Sequence, residues 1–173
     1  MNKTVEAIKF IEQRHRGQRR KVSGLPYIAH CFNVYAIAKE YKHSRRQDDI
    51  SAICLLHDIL EDTDTTYDEL EMIFGGIVAN TVAELTNDRD RIKRIGKTKY
   101  IDEKLLGLSH YALVVKLADM LANLTDAPTA AIVKRIAHHM EFLQAHREMT
   151  PAQKKIVGHI KYYIKKLNTG NRD

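Results

Sequence analysis

The chain is poor in residues that interrupt helices and in residues that build disulfide or zinc-ribbon scaffolds. Its 173 residues include eight glycines, three prolines and two cysteines. Cys31 and Cys54 have neither a metal-binding nor a redox spacing, so both thiols are predicted to fill apolar space. The longest uncharged stretches, 73–83 and 105–115, are shorter than the roughly 20 residues that cross a bilayer. Zinc ribbons, disulfide scaffolds and membrane spans are therefore excluded.

The composition is that of an ordinary globular domain. Apolar residues make up 44% and charged residues 29%, which argues against disorder, and the net charge is +6. The length suits one core, so we expect residues 1–173 to form a single domain without a second catalytic domain. Because no charged-then-apolar leader opens the sequence, a cytoplasmic location is also expected.

Apolar residues recur along the chain with helical spacing, and no strand-length run alternates apolar with polar residues. Pro26 suits the start of one helix because its fixed φ and missing N–H fit a first turn. Thr66 and Glu69 form a possible capping box at the start of another helix, which Gly75 would end. The sequence predicts an all-α bundle of eight to ten helices.

One predicted helix, over 51–62, carries an unusual number of polar groups beside its apolar residues. His57 and Asp58 directly follow four apolar residues, and Glu61 and Asp62 come one turn later. The i,i+4 relation would place Glu61 beside His57 and Asp62 beside Asp58. Carboxylates next to packed apolar side chains are costly unless they are paired or bound to a cation. The alternative is that the last two carboxylates simply mark a solvated helix end.

A second apolar helix contains a line of polar residues. Lys116, Asp119 and Asn123 recur at i, i+3 and i+7 within residues 113–124 and so need partners from other helices. His30 lies just inside the helix that Pro26 opens and could enter the same cavity. Seen alone, this histidine could equally be a satisfied core residue.

Two imidazoles and two carboxylates in one cavity would make a mixed nitrogen and oxygen site. Such a set suits Mn²⁺, Fe²⁺, Co²⁺ or Zn²⁺ better than Mg²⁺ or Ca²⁺, which favour oxygen cages. Four protein ligands on an octahedral ion leave positions for water or a phosphate oxygen. A metal held there would lower the pKa of a water and polarise a phosphorus–oxygen bond.

Basic residues crowd into two segments, 14–21 and 89–99. Together with an acidic metal site, they suggest a small polyanionic substrate. The alternatives are solubilising surface charge or a nucleic-acid patch. Nucleic acid is not expected, because no aromatic platform or docking motif accompanies the charges.

These residues resemble the HD-domain metal phosphohydrolases, and more narrowly the hydrolase domain of the Rel/SpoT alarmone enzymes and the free-standing small alarmone hydrolases. The matching segments, in the family's order, are 15–21, 23–30, 55–63, 66–75 and 115–124. The resemblance covers about residues 4–126 and is weaker over the helices expected at 128–168.

The resemblance implies a fold of about ten helices and one divalent metal, usually Mn²⁺, on His30, His57, Asp58 and Asp119. It implies that Glu61 and Asp62 activate and position water, without deciding which of them does so. The residues that it implies for the substrate are Arg20 and Lys21 at the purine, Ser23 and Asn123 near base and ribose, and Lys97 and Lys99 at the phosphates.

The function that the resemblance implies is a 3′-pyrophosphohydrolase of (p)ppGpp-like alarmones, which returns GDP or GTP and pyrophosphate. One alternative is an HD phosphohydrolase for an adenine alarmone, NADPH or a nucleoside monophosphate. Another is a non-catalytic domain that binds nucleotide or RNA. The partner expected is a small nucleotide polyphosphate rather than a membrane or a nucleic acid, and the sequence leaves the oligomeric state open.

Overall fold

The computed structural model describes residues 2–42 and 44–170, which form eleven helical segments. In chain order they are α1 Lys3–Arg14, α2 Tyr27–Tyr41, α3 Gln47–Leu56, α4 Ile59–Asp62, α5 Tyr67–Phe74, α6 Gly76–Leu85, α7 Arg89–Ile95, α8 Lys97–Gly107, α9 His110–Thr125, α10 Ala130–His146 and α11 Pro151–Asn168. The predicted all-α architecture is confirmed. The two shortest segments, α4 and α7, account for the excess over eight to ten helices.

Helix ends follow from local sequence. Pro26 directly precedes α2, and the Thr66 side chain accepts a hydrogen bond from Glu69 N at the start of α5. The reciprocal half of the predicted capping box does not form, because the Glu69 carboxylate pairs with Arg14 instead. Gly75 ends α5 at a φ of +82°, a conformation that glycine adopts without steric cost.

Helix α9 lies at the centre of the bundle. It packs against α2, α3, α6, α10 and α11, and most of its residues are buried. Asp119 is therefore held inside the protein, with only 7% of its surface exposed. Cys31 and Cys54 are buried and free, as predicted.

The continuous helix predicted over 51–62 is wrong in one detail. Helix α3 ends at Leu56, and α4 begins at Ile59, so His57 and Asp58 form a break between them. The break follows from Asp58, which leaves helical geometry at φ −105° and ψ 2°. It allows the two side chains to point into the bundle from a helix terminus rather than from a helix face.

The C-terminal part of the bundle adds α8, α10 and α11 to this centre. Helix α10 packs on α8 and α11, and α11 also packs along α9. Arg147 fastens α10 to α8, because its guanidinium donates to the carbonyl oxygens of Leu105, Leu106 and Leu108. No helix among the described residues combines the length and the apolar character that a bilayer crossing requires.

Candidate metal centre and active site

Four predicted ligands from three parts of the chain converge, and we refer to His30, His57, Asp58 and Asp119 as the metal pole. His30 Nε2 lies 3.2 Å from Asp119 Oδ1, and His57 Nε2 lies 2.9 Å from Asp58 Oδ2. The two cross distances, His30 Nε2 to Asp58 Oδ2 and His57 Nε2 to Asp119 Oδ1, are both 4.0 Å. Ligand atoms of His30, His57 and Asp119 all lie within 4.8 Å of one another, close enough to share one cation, and Asp58 borders this group at His57.

Each imidazole of the metal pole has a ring nitrogen, Nε2, that receives no hydrogen bond from the described residues. His57 Nδ1 lies 2.8 Å from Cys54 O, so this nitrogen carries a hydrogen and Nε2 is the atom that a cation would bind in place of a proton. Within the described part of the chain, neither His57 Nε2 nor His30 Nε2 has a hydrogen-bond partner, and both atoms are buried. Buried polar atoms normally have partners, so the donor set fits a divalent ion.

Asp119 is oriented by its own helix. Lys116 Nζ donates to Asp119 Oδ2 at 2.8 Å, and Asn123 Nδ2 donates to Asp119 Oδ1 at 2.7 Å. Burial alone would raise the pKa of Asp119, but Lys116 and the imidazoles of His30 and His57 hold it well below its usual range. The predicted polar line along α9 therefore fixes one carboxylate in its charged form.

The break after α3 places opposite charges next to each other. Burial alone would lower the pKa of His57, but the carboxylates of Asp58 and Asp119 raise it to about 9. The neighbouring imidazole holds the pKa of Asp58 below its usual range, against the effect of burial. Tyr27 adds a hydrogen bond from its hydroxyl to Asp58 Oδ2 at 2.5 Å. The negative potential that favours a proton here also favours a metal cation.

Glu61 and Asp62, the predicted water-activating pair, lie on α4 next to the metal pole. Glu61 Oε2 accepts hydrogen bonds from Asn87 Nδ2 at 2.8 Å and Asn87 N at 3.2 Å. Asp62 is exposed, and its backbone carbonyl accepts from Gln18 Nε2. Glu61 is thus held by a neighbouring loop, whereas the Asp62 carboxylate faces solvent.

The loop before α2 brings Arg20 to the end of α9. Its guanidinium donates to Asn123 Oδ1 at 2.5 Å and to Asp126 Oδ2 at 2.9 Å, and it lies over the Tyr27 ring. Ser23 has a buried hydroxyl with no partner in the part of the chain that the structure describes. Of the residues predicted for the purine and ribose, Arg20 and Asn123 therefore meet directly, while Lys21 is exposed.

A cavity of about 170 Å³ extends from Asp119 toward α8 and α10. Its positive lining residues are Lys97, Lys116 and Arg135, and Asn87, Asn123 and His139 add polar groups. Burial, Arg135 and Lys116 lower the pKa of Lys97. Lys99, predicted for the same role as Lys97, does not line this cavity, and the two lysines share a neighbouring pocket. Of the two lysines predicted for the phosphates, Lys97 alone thus reaches the cavity beside Asp119.

Sequence reasoning missed three residues of this site, namely Asn87, Arg135 and His139. Arg135 and His139 lie one turn apart on α10, and we call them, with Lys97, the outer wall. Their only signal in the sequence is that they flank the apolar stripe of α10, as many surface residues do. Asn87 follows α6 in a loop without any motif.

The model of the HD domain family matches residues 7–160. The chain belongs to this family. Among its HD relatives is the zebrafish guanosine-3′,5′-bis(diphosphate) 3′-pyrophosphohydrolase MESH1, 37% identical over 145 residues that cover 80% of this chain and 78% of the relative. The human enzyme of the same name is 41% identical over 125 residues, covering 70% of this chain and 68% of the relative.

A solved structure of an HD relative agrees over nearly the whole fold. It is a metazoan orthologue of SpoT, described as hydrolysing ppGpp and acting in starvation responses. The two chains superpose with a TM-score of 0.75 at 27% identity, covering 94% of this chain and 95% of that one. The predicted resemblance to the Rel/SpoT-type hydrolases is confirmed, and it includes the C-terminal helices, where the motifs are weaker.

Proposed function

We propose that this protein is a metal-dependent 3′-pyrophosphohydrolase of guanosine 3′,5′-bis(diphosphate) and its triphosphate analogue, and that residues 1–173 act as one hydrolase domain. The observation that carries the proposal is the metal pole beside a cavity lined by cations. The HD relatives named for this reaction support the choice of substrate. The products are GDP or GTP and pyrophosphate.

The metal pole would hold one divalent ion, and we propose Mn²⁺ because imidazole nitrogens together with carboxylate oxygens suit it. When bound, such an ion lowers the pKa of a water and polarises a phosphorus–oxygen bond. Cys54 O orients the His57 ring by a hydrogen bond, and Lys116 and Asn123 orient the Asp119 carboxylate in the same way. These partners fix which nitrogen and which oxygen face the site.

Glu61 and Asp62 would take the proton of the attacking water and orient it toward the 3′ phosphorus. Glu61 is already fixed by Asn87, which favours positioning, whereas Asp62 is exposed and accessible to water. General-base assistance of this kind contributes roughly 10²–10⁴-fold to rate. The structure supports a role for both carboxylates and assigns the proton transfer to neither alone.

The cavity beyond Asp119 would receive the diphosphate. Lys97, Lys116 and Arg135 would offset the negative charge that opposes attack by an oxygen nucleophile. Arg20, held above Tyr27 by Asn123 and Asp126, would pack on the purine, with Lys21 and Ser23 beside it. Lys99 lines another pocket, so a phosphate contact by Lys99 requires a substrate that reaches past Lys97.

The test is a substrate panel with Mn²⁺ that includes guanine and adenine 3′-pyrophosphates, NADPH and a nucleoside monophosphate. Pyrophosphate and GDP released from the guanine alarmone are the expected products. Release of orthophosphate alone, from NADPH or a monophosphate, would replace this function with another HD phosphohydrolase activity. Salt-sensitive RNA binding that survives His57→Ala, without turnover, would favour the non-catalytic alternative. The cytoplasmic location remains a prediction from the sequence.

A further inference from the structure

His139 has the same signature as the two imidazoles of the metal pole. It is 2% exposed, and its Nε2 has no hydrogen-bond partner among residues 2–42 and 44–170. The ring lines the cavity that contains Asp119 and Lys116, although it comes from α10, which contributes nothing to the metal pole. Because a buried nitrogen without a partner is costly, a ligand in that cavity is the partner it lacks.

Asp102 fixes the orientation of this ring. The carboxylate is buried on α8, and its Oδ1 lies 2.7 Å from His139 Nδ1. A carboxylate only accepts hydrogen bonds, so Nδ1 carries a hydrogen and Nε2 is the atom left for a ligand. Proteins use a carboxylate on one ring nitrogen of an imidazole to direct the other nitrogen toward a ligand.

The surroundings of His139 decide the class of ligand. Lys97, Lys116 and Arg135 line the same cavity, so an anion with several oxygens fits it better than a cation or an apolar group. Burial, His138 and Arg135 lower the pKa of His139 although Asp102 opposes them, and a phosphoryl oxygen at Nε2 would add a second negative neighbour that favours a proton on each nitrogen.

We propose that His139 is a substrate-binding residue whose Nε2 donates a hydrogen bond to a phosphoryl oxygen of the substrate, and that Asp102 is its positioning residue. This inference rests on the proposed function, which supplies the phosphorylated substrate. It adds an anchor for the phosphates on α10, a helix that contributes nothing to the metal pole.

His138 provides a matched control. Its Nε2 lies 2.8 Å from Asp102 Oδ2, so it uses the same carboxylate as His139. Its side chain, however, is 49% exposed and borders the neighbouring pocket rather than the catalytic cavity. A residue with only a structural role in joining α8 to α10 would behave like His138, whereas a substrate contact would not.

The experiment compares His139→Asn, His139→Gln and His138→Asn. Asparagine can replace Nδ1 but not reach the position of Nε2, whereas glutamine can place an amide N–H there. We expect His139→Asn to raise KM and the Kd of inorganic pyrophosphate at least about tenfold, the range for a hydrogen bond to a charged group. His139→Gln should recover part of that loss, and His138→Asn should change both constants less than about twofold.

Asp102→Asn tests the positioning role. It should raise KM by less than His139→Asn does, and it should add nothing further when both changes are combined. Independent effects of the two substitutions on KM would contradict action through His139. If the wild-type protein binds a second equivalent of Zn²⁺ and His138→Asn removes it, the cluster of Asp102, His138 and His139 is a metal site. That result would overturn the positioning role.

The Kd of inorganic pyrophosphate, measured by titration calorimetry, separates this inference from the proposed function. If the wild-type protein hydrolyses no alarmone, the proposed function is wrong, yet pyrophosphate binding still compares His139→Asn with His138→Asn. If hydrolysis proceeds and a folded His139→Asn variant keeps the wild-type KM and pyrophosphate affinity, the contact is refuted.

Discussion

The metal pole and the outer wall face the same cavity but hold their polar groups differently. At the metal pole, the ligand atoms of His57 and Asp119 are fixed by partners within one turn of their own helices. In the outer wall, Lys97 is exposed, and His139 depends on a carboxylate from another helix. The metal pole is thus preorganised for a small ion, whereas the outer wall is suited to a larger anion whose position depends on how α8 meets α10.

The largest expected effect comes from breaking the metal pole. Asp119→Ala should lower turnover by more than about 100-fold and release the metal, because loss of one carboxylate removes both a ligand and the partner of Lys116. Metal content and kcat are measured on the same preparation. Chelation of the wild-type protein should give the same loss and added Mn²⁺ should reverse it, whereas the exposed His159→Ala should change neither. Full activity of metal-free protein would contradict this account.

The next effect separates water activation from metal binding. Glu61→Gln and Asp62→Asn should each lower kcat about 10²–10⁴-fold while the metal stays bound, since neither carboxylate is part of the metal pole. Metal content together with kcat decides the outcome. The exposed Asp90→Asn serves as the control for loss of a surface carboxylate. Loss of metal from Glu61→Gln or Asp62→Asn would move that residue into the ligand set.

A smaller effect is expected at Arg20, which lies between the metal pole and the solvent. Arg20→Ala should raise KM about tenfold and change kcat much less, because packing on a purine stabilises bound substrate and transition state alike. Steady-state kinetics measure both constants. Arg16→Ala, an exposed change in the same basic segment, should leave KM within about twofold of the wild type. A fall in kcat alone would show that Arg20 acts on the chemical step.

The same contrast explains how much the sequence could predict. His57, Asp58 and Asp119 occur in short segments where charged residues interrupt buried apolar runs, so their unusual environment is visible locally. The break between α3 and α4 was not predictable, because a continuous helix gives the same i,i+4 pattern. Arg20 reaches the site only because the loop folds back on α9, and the family resemblance rather than any spacing identified it.

The outer wall could not be predicted from local pattern. Arg135 and His139 flank the apolar stripe of α10, where polar residues usually face solvent. Their entry into the cavity depends on the packing of α8 against α10, and the partner of His139 is 37 residues away in sequence. Lys97 and Lys99 are two positions apart, yet Lys97 lines both pockets and Lys99 lines only the neighbouring one, a difference that depends on the helix orientation.

The packing of α8 on α10 offers a further test of the comparison. Arg147→Ala removes three hydrogen bonds to the carbonyl oxygens at the end of α8 and should lower the free energy of unfolding by about 1–3 kcal/mol. KM should rise two- to fivefold because the outer wall shifts, while metal affinity stays unchanged. Denaturant unfolding, steady-state kinetics and metal titration measure these three quantities. Weaker metal binding would show that the metal pole also depends on this contact.

The smallest effect concerns Asp48, which fastens α1 to the start of α3. Its carboxylate accepts hydrogen bonds from Lys3 N, Thr4 N and Thr4 Oγ1. Burial alone would raise the pKa of Asp48, but these bonds lower it below the usual value near 4. Asp48→Asn should therefore lower the free energy of unfolding by about 1 kcal/mol at pH 7.

The pH dependence distinguishes this contact from that of Arg147. A carboxylate whose pKa is lowered by folding stabilises the protein above the unfolded value, and that stability is lost as the pH falls through the folded value. The gap between wild type and Asp48→Asn should thus stay constant from pH 7 to about 5 and narrow below about 4. The gap for Arg147→Ala should persist, because a guanidinium does not titrate there. Two gaps that shrink together in acid would show that general acid unfolding, rather than the Asp48 carboxylate, controls this region.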